Sequence, residues 1–372
     1  LWVNHTATLG TSAGTVTVRP GATLTFSGGN LTLANPISAA GTIGVNGGAA
    51  LLRATLSGAV TLAGDTVFRS SGGSNGSFEL TNTLNLGAFN ANFNLDGANT
   101  TNVSGVISGT GGSITKTGTG ILTLTGTSTF TGAVTISNGL VNIGNVRNLG
   151  SGTAISVNGG GLQFSPNPTN NSADPSTRTI TIGSGGATFD TNGNQVAFEN
   201  AIGNSGSGGL TKTGNGTLTL AGANTYTGPT NILSGATAKA GVAAATTVSG
   251  ALGSLSPTTV GGTLDINALD TTIGSLAGAG TVLNSGTTAK TFTVGGSNTS
   301  TTFSGSFAAG GVEGNVIRKV GTGVLTLSGT SAWTGTGDLQ SGVLRIGANN
   351  ALATNASMTI GNVAGGVARL VI

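Results

Sequence analysis

The chain has 372 residues, of which 6% are charged and 4% aromatic, with 69 Gly, 7 Pro, no Cys and one His, His5. So few Glu, Lys, Arg and Gln leave nothing to build the exposed face of an amphipathic helix, while a hydrophobic fraction of 37% argues against disorder. Without Cys and with one His, disulfide frameworks and zinc centres drop out; a net charge of +3 on dispersed Lys and Arg gives no nucleic-acid footprint, and no apolar run is long enough to span a bilayer.

Residues 1–105 read as coils of a β-solenoid in degenerate form. Thr15-Val16-Thr17-Val18, Ala22-Thr23-Leu24-Thr25-Phe26 and Asn30-Leu31-Thr32-Leu33 alternate apolar with polar residues, the period of a strand, and Gly or Pro punctuates the runs. Phe78, Phe89 and Phe93 recur at strand spacing and are expected to stack inside successive coils. Arg53, Asp65 and Arg69 are expected to form solvated pairs.

From residue 106 the pattern sharpens into three copies of one motif: ITKTGTGILTLTGTSTFTG at 114–132, LTKTGNGTLTLAGANTYTG at 210–228 and IRKVGTGVLTLSGTSAWTG at 317–335. Each copy sets a Lys (Lys116, Lys212, Lys319) ahead of two alternating Leu (Leu122 and Leu124, Leu218 and Leu220, Leu325 and Leu327), then a Gly (Gly126, Gly222, Gly329) and an aromatic (Phe130, Tyr226, Trp333). The lysines stand 96 and 107 residues apart, a repeat with insertions and deletions. Strand starts at Leu210, Leu218 and Tyr226 predict three strands per coil of roughly two dozen residues. Period two puts each Lys on the inward face with Ile114, Leu210 or Ile317. A charge there is costly, so the strand is expected to bend at that point and release the amine to solvent along a corner.

The unit extends past the motif. Its tail is Asn148-Leu149-Gly150 in the first copy, Ala251-Leu252-Gly253 in the second and Ala351-Leu352 in the third. The chain therefore divides into degenerate coils over 1–105 and super-repeats over 106–200, 201–302 and 303–372, forming one continuous solenoid. The segment 165–177, SPNPTNNSADPST, has the Pro and Asn content of a protruding loop, where a rigid scaffold would carry a binding function.

The three motifs resemble the autotransporter-associated β-strand repeat of passenger regions in large exported bacterial surface proteins. The resemblance implies a right-handed β-helix at the cell surface or outside the cell and brings no catalytic residues with it. Taken with the residue pattern, it gives an all-β fold: a single-stranded right-handed parallel β-helix (β-solenoid) of about 15–18 coils.

β-Helices also host polysaccharide-cleaving enzymes, which need clustered carboxylates. Here Asp265 and Asp270, with Lys290 a coil on, are the closest set, Asp190 and Glu199 stand further apart, and His5 alone supports no nucleophile–base pair. Thr-x-Thr pairs such as Thr123 and Thr125 do not form the unbroken rows that ice binding requires. The sequence thus points to a non-enzymatic extracellular structural protein without cofactor or metal, neither inserting in a membrane nor binding nucleic acid. Leu1, Trp2 and Val3 at one end and Leu370, Val371 and Ile372 at the other are apolar, so the expected partner is a second copy, stacked head to tail into a bacterial surface filament. The alternatives are a stalk or passenger segment of a larger autotransporter-like adhesin, with a surface or glycan ligand, and a polysaccharide-binding or polysaccharide-cleaving β-helix.

Overall fold

Alternating Leu, Val, Ile and Phe with Thr, Ser and Asn seals one side chain in two inside a coil and turns the other outward. The structure, a computed structural model, describes residues 1–3, 12–46, 52–71, 76–97, 100–166, 173–244, 250–308, 314–352, 357–361 and 367–372. The fold is all-β, with parallel strands stacked as a β-solenoid of about 14 turns. Helix among the described residues is confined to two short 3-10 turns, Val146–Leu149 and Pro175–Thr177. The turns are slightly fewer than 15–18, and coil length varies: ladder partners lie 18 residues apart at Thr258 and Leu276 but 28 apart at Thr230 and Thr258. The molecule divides into two compact units, Leu1–Ile180 and Thr181–Ile372.

In the first unit three strands make a coil, as at Ile37–Ala39, Thr42–Asn46 and Leu52–Leu56, and each pairs in parallel with its counterparts in neighbouring coils. Register places like on like. Leu33, Leu56, Leu80, Val103, Leu124, Ile143 and Phe164 form one unbroken buried column. Such stacking buries nearly all of each side chain, about 1.5–3 kcal/mol for a Leu, Val or Phe. Phe93 lies flat on Phe68 with centroids 4.9 Å apart, and Phe78 meets Phe68 edge-on at 6.3 Å. Phe89 departs from the expected stack and is 38% exposed. It closes a tight turn, its N–H donating to Leu86 O past Gly87 at φ +57°, and so sits outside the strand alternation. Arg53 pairs with Glu79 at 3.1 Å rather than with Asp65, whose carboxylate accepts the Asn90 N–H instead.

Part of the segment 165–177 corrects the expectation of a protruding loop. Residues 167–172 lie outside the described residues, but Ala173, Asp174 and Ser176 are buried. Asp174 caps the 3-10 turn by accepting from Ser176 N at 2.8 Å, and the Arg178 guanidinium beyond it donates to the Val146 and Gly150 carbonyls. Carbonyls at the first residue of the Val146–Leu149 turn and at its C-cap, Gly150, thus hold this stretch down.

The second unit uses the same parallel ladders with a less regular backbone. Among the described residues, all eight non-glycine residues at positive φ lie here: Asn192, Asn204, Ser205, Leu255, Asn267, Ala268, Asn298 and Asn350. Asn predominates because its short amide tolerates the left-handed region. Phe303, Phe307 and Trp333 pack as an aromatic cluster, with Trp333 edge-on to Phe307 at 5.7 Å. No helix among the described residues is long and apolar enough to cross a membrane.

Trp2–Val3 ladders with Thr25 and Phe26, Val3 being buried and Leu1 exposed. Leu370 and Val371 ladder with Leu344 and Arg345 and are half-buried, while Ile372 is 94% exposed.

Candidate functional site at the repeated lysine corners

The motif lysines occupy inward strand positions in columns that are otherwise apolar. Lys116 stacks between Phe93 and Ile136, Lys212 between Phe189 and Ile232, and Lys319 between Val294 and Leu339. Their exposures are 0%, 0% and 2%. The expected bend toward solvent is therefore corrected: the strand Ser113–Thr117 keeps its alternation through Lys116. The four-carbon stem fills the core column, and the amine stops at the corner where the backbone turns.

That corner supplies what water would have supplied. Lys116 Nζ donates to Thr117 O at 2.8 Å, Gly118 O at 2.6 Å and Asn138 O at 3.3 Å. Lys319 Nζ repeats this with Val320 O, Gly321 O at 2.9 Å and Ser341 O at 3.3 Å. Lys212 Nζ has two acceptors, Thr213 O at 2.6 Å and Gly214 O at 2.7 Å. An ammonium has three donors and no acceptor, and turn carbonyls lack ladder partners, so the two satisfy each other.

Glycine two residues after each Lys makes the geometry possible. Gly118, Gly214 and Gly321 stand at φ +72°, +70° and +68°, a left-handed turn that aims consecutive carbonyls at one point. In the following coil, Gly139 and Gly342 close over the amine, where a Cβ would stand 2.7 Å from Lys116 Nζ and 2.9 Å from Lys319 Nζ. Burial pulls all three ammonium groups down from 10.5 to about 8, opposed by Asp96 at Lys116 and by Asp190 at Lys212. They remain charged at neutral pH.

The motif aromatics form the second half of the unit. Phe130, Tyr226 and Trp333 are buried, but none begins a strand as expected of Tyr226. Each lies in an irregular segment along the third side of the coil. Around Tyr226 the backbone still bonds to both neighbouring coils, Thr225 N to Ile202 O at 3.0 Å and Thr227 N to Gly206 O at 3.1 Å on one side and Ser254 N to Tyr226 O at 3.0 Å on the other. The polar tips find partners: Tyr226 OH lies 2.8 Å from Thr230 Oγ1, and Trp333 Nε1 donates to Asn315 O at 3.2 Å. The tail glycines explain themselves here, since a Cβ at Gly150 or Gly253 would run into the Phe130 or Tyr226 ring at 2.7 Å.

The carboxylates weighed for catalysis are tied into turns. Asp265 accepts from Asn267 N, Ser285 N and Ser285 Oγ, the last at 2.6 Å, and pairs with Lys239 at 3.6 Å. Asp270 accepts from Thr291 N at 2.8 Å, Asp190 from Asn192 N at 2.9 Å, and Lys290 N donates to Asn315 Oδ1. No hydrogen bond or ion pair joins the side chains of Asp265, Asp270 and Lys290 to one another. His5 lies outside the described residues, among which no group of three or more His, Asp or Glu could hold a metal ion. The glycines over the lysines and under the aromatics are the residues that sequence reasoning missed. The signal was present, because Lys-x-Gly and a glycine 23 residues after each Lys recur in all three copies.

The lysine corners coincide with matches to a known repeat. Residues 114–143, 210–237 and 317–346 each match the passenger-associated-transport-repeat family. A relative among characterised proteins, the adhesin BmaC autotransporter of Brucella suis biovar 1 (strain 1330), is 32% identical over 269 residues. That alignment spans 64% of the present sequence and 7% of the adhesin. No solved structure gives a significant match.

Proposed function

The chain is a β-solenoid carrying three passenger-associated-transport repeats, and from that premise we propose that it is a non-enzymatic length of stalk in the passenger region of a larger autotransporter-type adhesin. The observation that supports this most is the coincidence of every matched repeat with a buried lysine corner and an aromatic plug. The lysine stems and the aromatic rings are buried in all three repeats, and at Lys116 and Lys319 the amine also bonds to the following coil. A parallel solenoid adds length by adding coils, each contacting only its neighbours, which suits a spacer that holds a binding region away from the cell. Similarity to a short stretch of a very long adhesin favours this reading over separate subunits stacking through Leu1–Val3 and Leu370–Ile372 into a filament.

Antibodies raised against the solenoid test the proposal on the producing cells. The expected result is labelling of intact cells, lost on external protease treatment, and a reactive polypeptide far heavier than the 35.5 kDa of this chain. A native polypeptide of 35.5 kDa recovered in fibres would overturn it in favour of the filament.

A further inference from the structure

We propose that Asn138 is a self-modification site, at which the Gly139 main-chain nitrogen closes on the Asn138 carboxamide with the Lys116 ammonium activating the peptide bond between them. Two contacts carry this. Gly139 N–H donates to Asn138 Oδ1 at 2.8 Å, so the attacking nitrogen already rests against the amide it must attack. Lys116 Nζ donates to Asn138 O at 3.3 Å, the carbonyl of the very peptide bond whose nitrogen must lose its proton. A fixed cation there draws charge from that nitrogen and stabilises the anion as it forms.

In the ring closure the Gly139 N–H proton is lost to base, a bond forms from nitrogen to Asn138 Cγ, and the bond between Cγ and Nδ2 breaks. Nδ2 takes up a proton and leaves as ammonia. Water then opens the succinimide at either carbonyl, giving aspartate or isoaspartate, with no change in oxidation state. Asn138 is exposed, so water reaches it. The equivalent positions in the other corners are Ser234 and Ser341, which carry no amide to cyclise. Another Asn-Gly pair, Asn192-Gly193, directs its glycine N–H away to Asn215 O at 2.7 Å. An isoaspartate at position 138 adds a backbone atom beneath Gly139, where there is no room over Lys116, and sets a carboxylate beside the amine.

The folded protein, incubated near neutral pH and mapped by peptide mass spectrometry, gives the rates at Asn138, Asn158, Asn192 and Asn215 in one sample. Asn138 should convert about tenfold faster than the other three, the effect of one charge-assisted hydrogen bond on a barrier, and unfolding in urea should bring the ratio near one. Lys116→Met should slow Asn138 alone, and Asn138→Ser should abolish the product while keeping the melting temperature. Above pH about 8, where Lys116 loses its proton despite Asp96, the wild-type rate should stop rising with hydroxide. Equal rates at all four sites in the folded wild type, needing no variant, would overturn the proposal. So would an unchanged Asn138 rate in a folded Lys116→Met variant.

Discussion

The corners at Lys116 and Lys212 share the letters Lys-Thr-Gly, the left-handed glycine and the two nearest acceptors, yet only Lys116 reaches into the next coil. The glycines above them differ in the same way. A Cβ on Gly139 would meet the Gly118 and Gly120 carbonyls and Lys116 Nζ, whereas one on Gly235 would meet only the Asn215 side chain, at 2.7 Å. The turn is therefore set locally by Lys-x-Gly, but whether the lysine also fastens one coil to the next depends on the coil that covers it. At Lys116 the amine is a staple, and at Lys212 it is a cap.

The sharpest way to break this comparison is to fill the two glycines. Gly139→Ala combines a left-handed alanine with a collision against backbone and is expected to cost about 3 kcal/mol. Gly235→Ala carries the backbone strain but pushes only on a movable amide, and should cost about 1 kcal/mol. Urea midpoints of the two variants measure the gap, and equal losses would deny the distinction. Removing the amines comes next. Lys116→Met strands three carbonyls and Lys212→Met two, so the first should lose about 1 kcal/mol more than the second.

Protonation probes all three corners together. Each amine titrates near 8 in the fold and at 10.5 when unfolded. Between those values the unfolded state holds protons that the folded state has released, so stability rises as pH increases from about 8 to about 10.5. Below about 8 both states are protonated and the contribution is flat. A variant with all three lysines changed to Met should lack this rise, read as the urea midpoint across that pH range. A parallel rise in both proteins would place its origin elsewhere.

Much of the fold was legible because it rests on local period. Leu218 and Leu220 alternate with Thr, glycines close the runs, and parallel stacking follows once each coil repeats the last. Phe78 and Phe93 were placed correctly for that reason, and Phe89 was not, because a turn closed by its own N–H interrupts the alternation. The lysines were misjudged for a different cause. Their inward direction was clear from the sequence, but the acceptors that make burial tolerable come partly from Asn138 and Ser341, which are 22 residues further along. Tyr226 shows the same limit. Alternation continues into it, yet Gly222 is pressed against the Asn200–Ala201 backbone of the preceding coil and the ladder breaks there.

The smallest expected effect is the most pointed. Asn215 stands where the other two copies have Thr119 and Thr322, and it is this residue that meets the space above Gly235. Its main-chain carbonyl accepts from Gly193 N and Thr191 Oγ1, and those bonds survive any change of side chain. A threonine is shorter and leaves that space open, letting the Ser234 carbonyl settle over Lys212 as Asn138 and Ser341 do over their lysines. Asn215→Thr should therefore stabilise the protein by about 0.5 kcal/mol, the net worth of one added hydrogen bond. The gain should vanish in a Lys212→Met background, since without the amine there is nothing for the new carbonyl to accept from. A gain that persists there would mean that Asn215 disturbs the coil for some reason other than the lysine, and the cap would no longer be a staple held open.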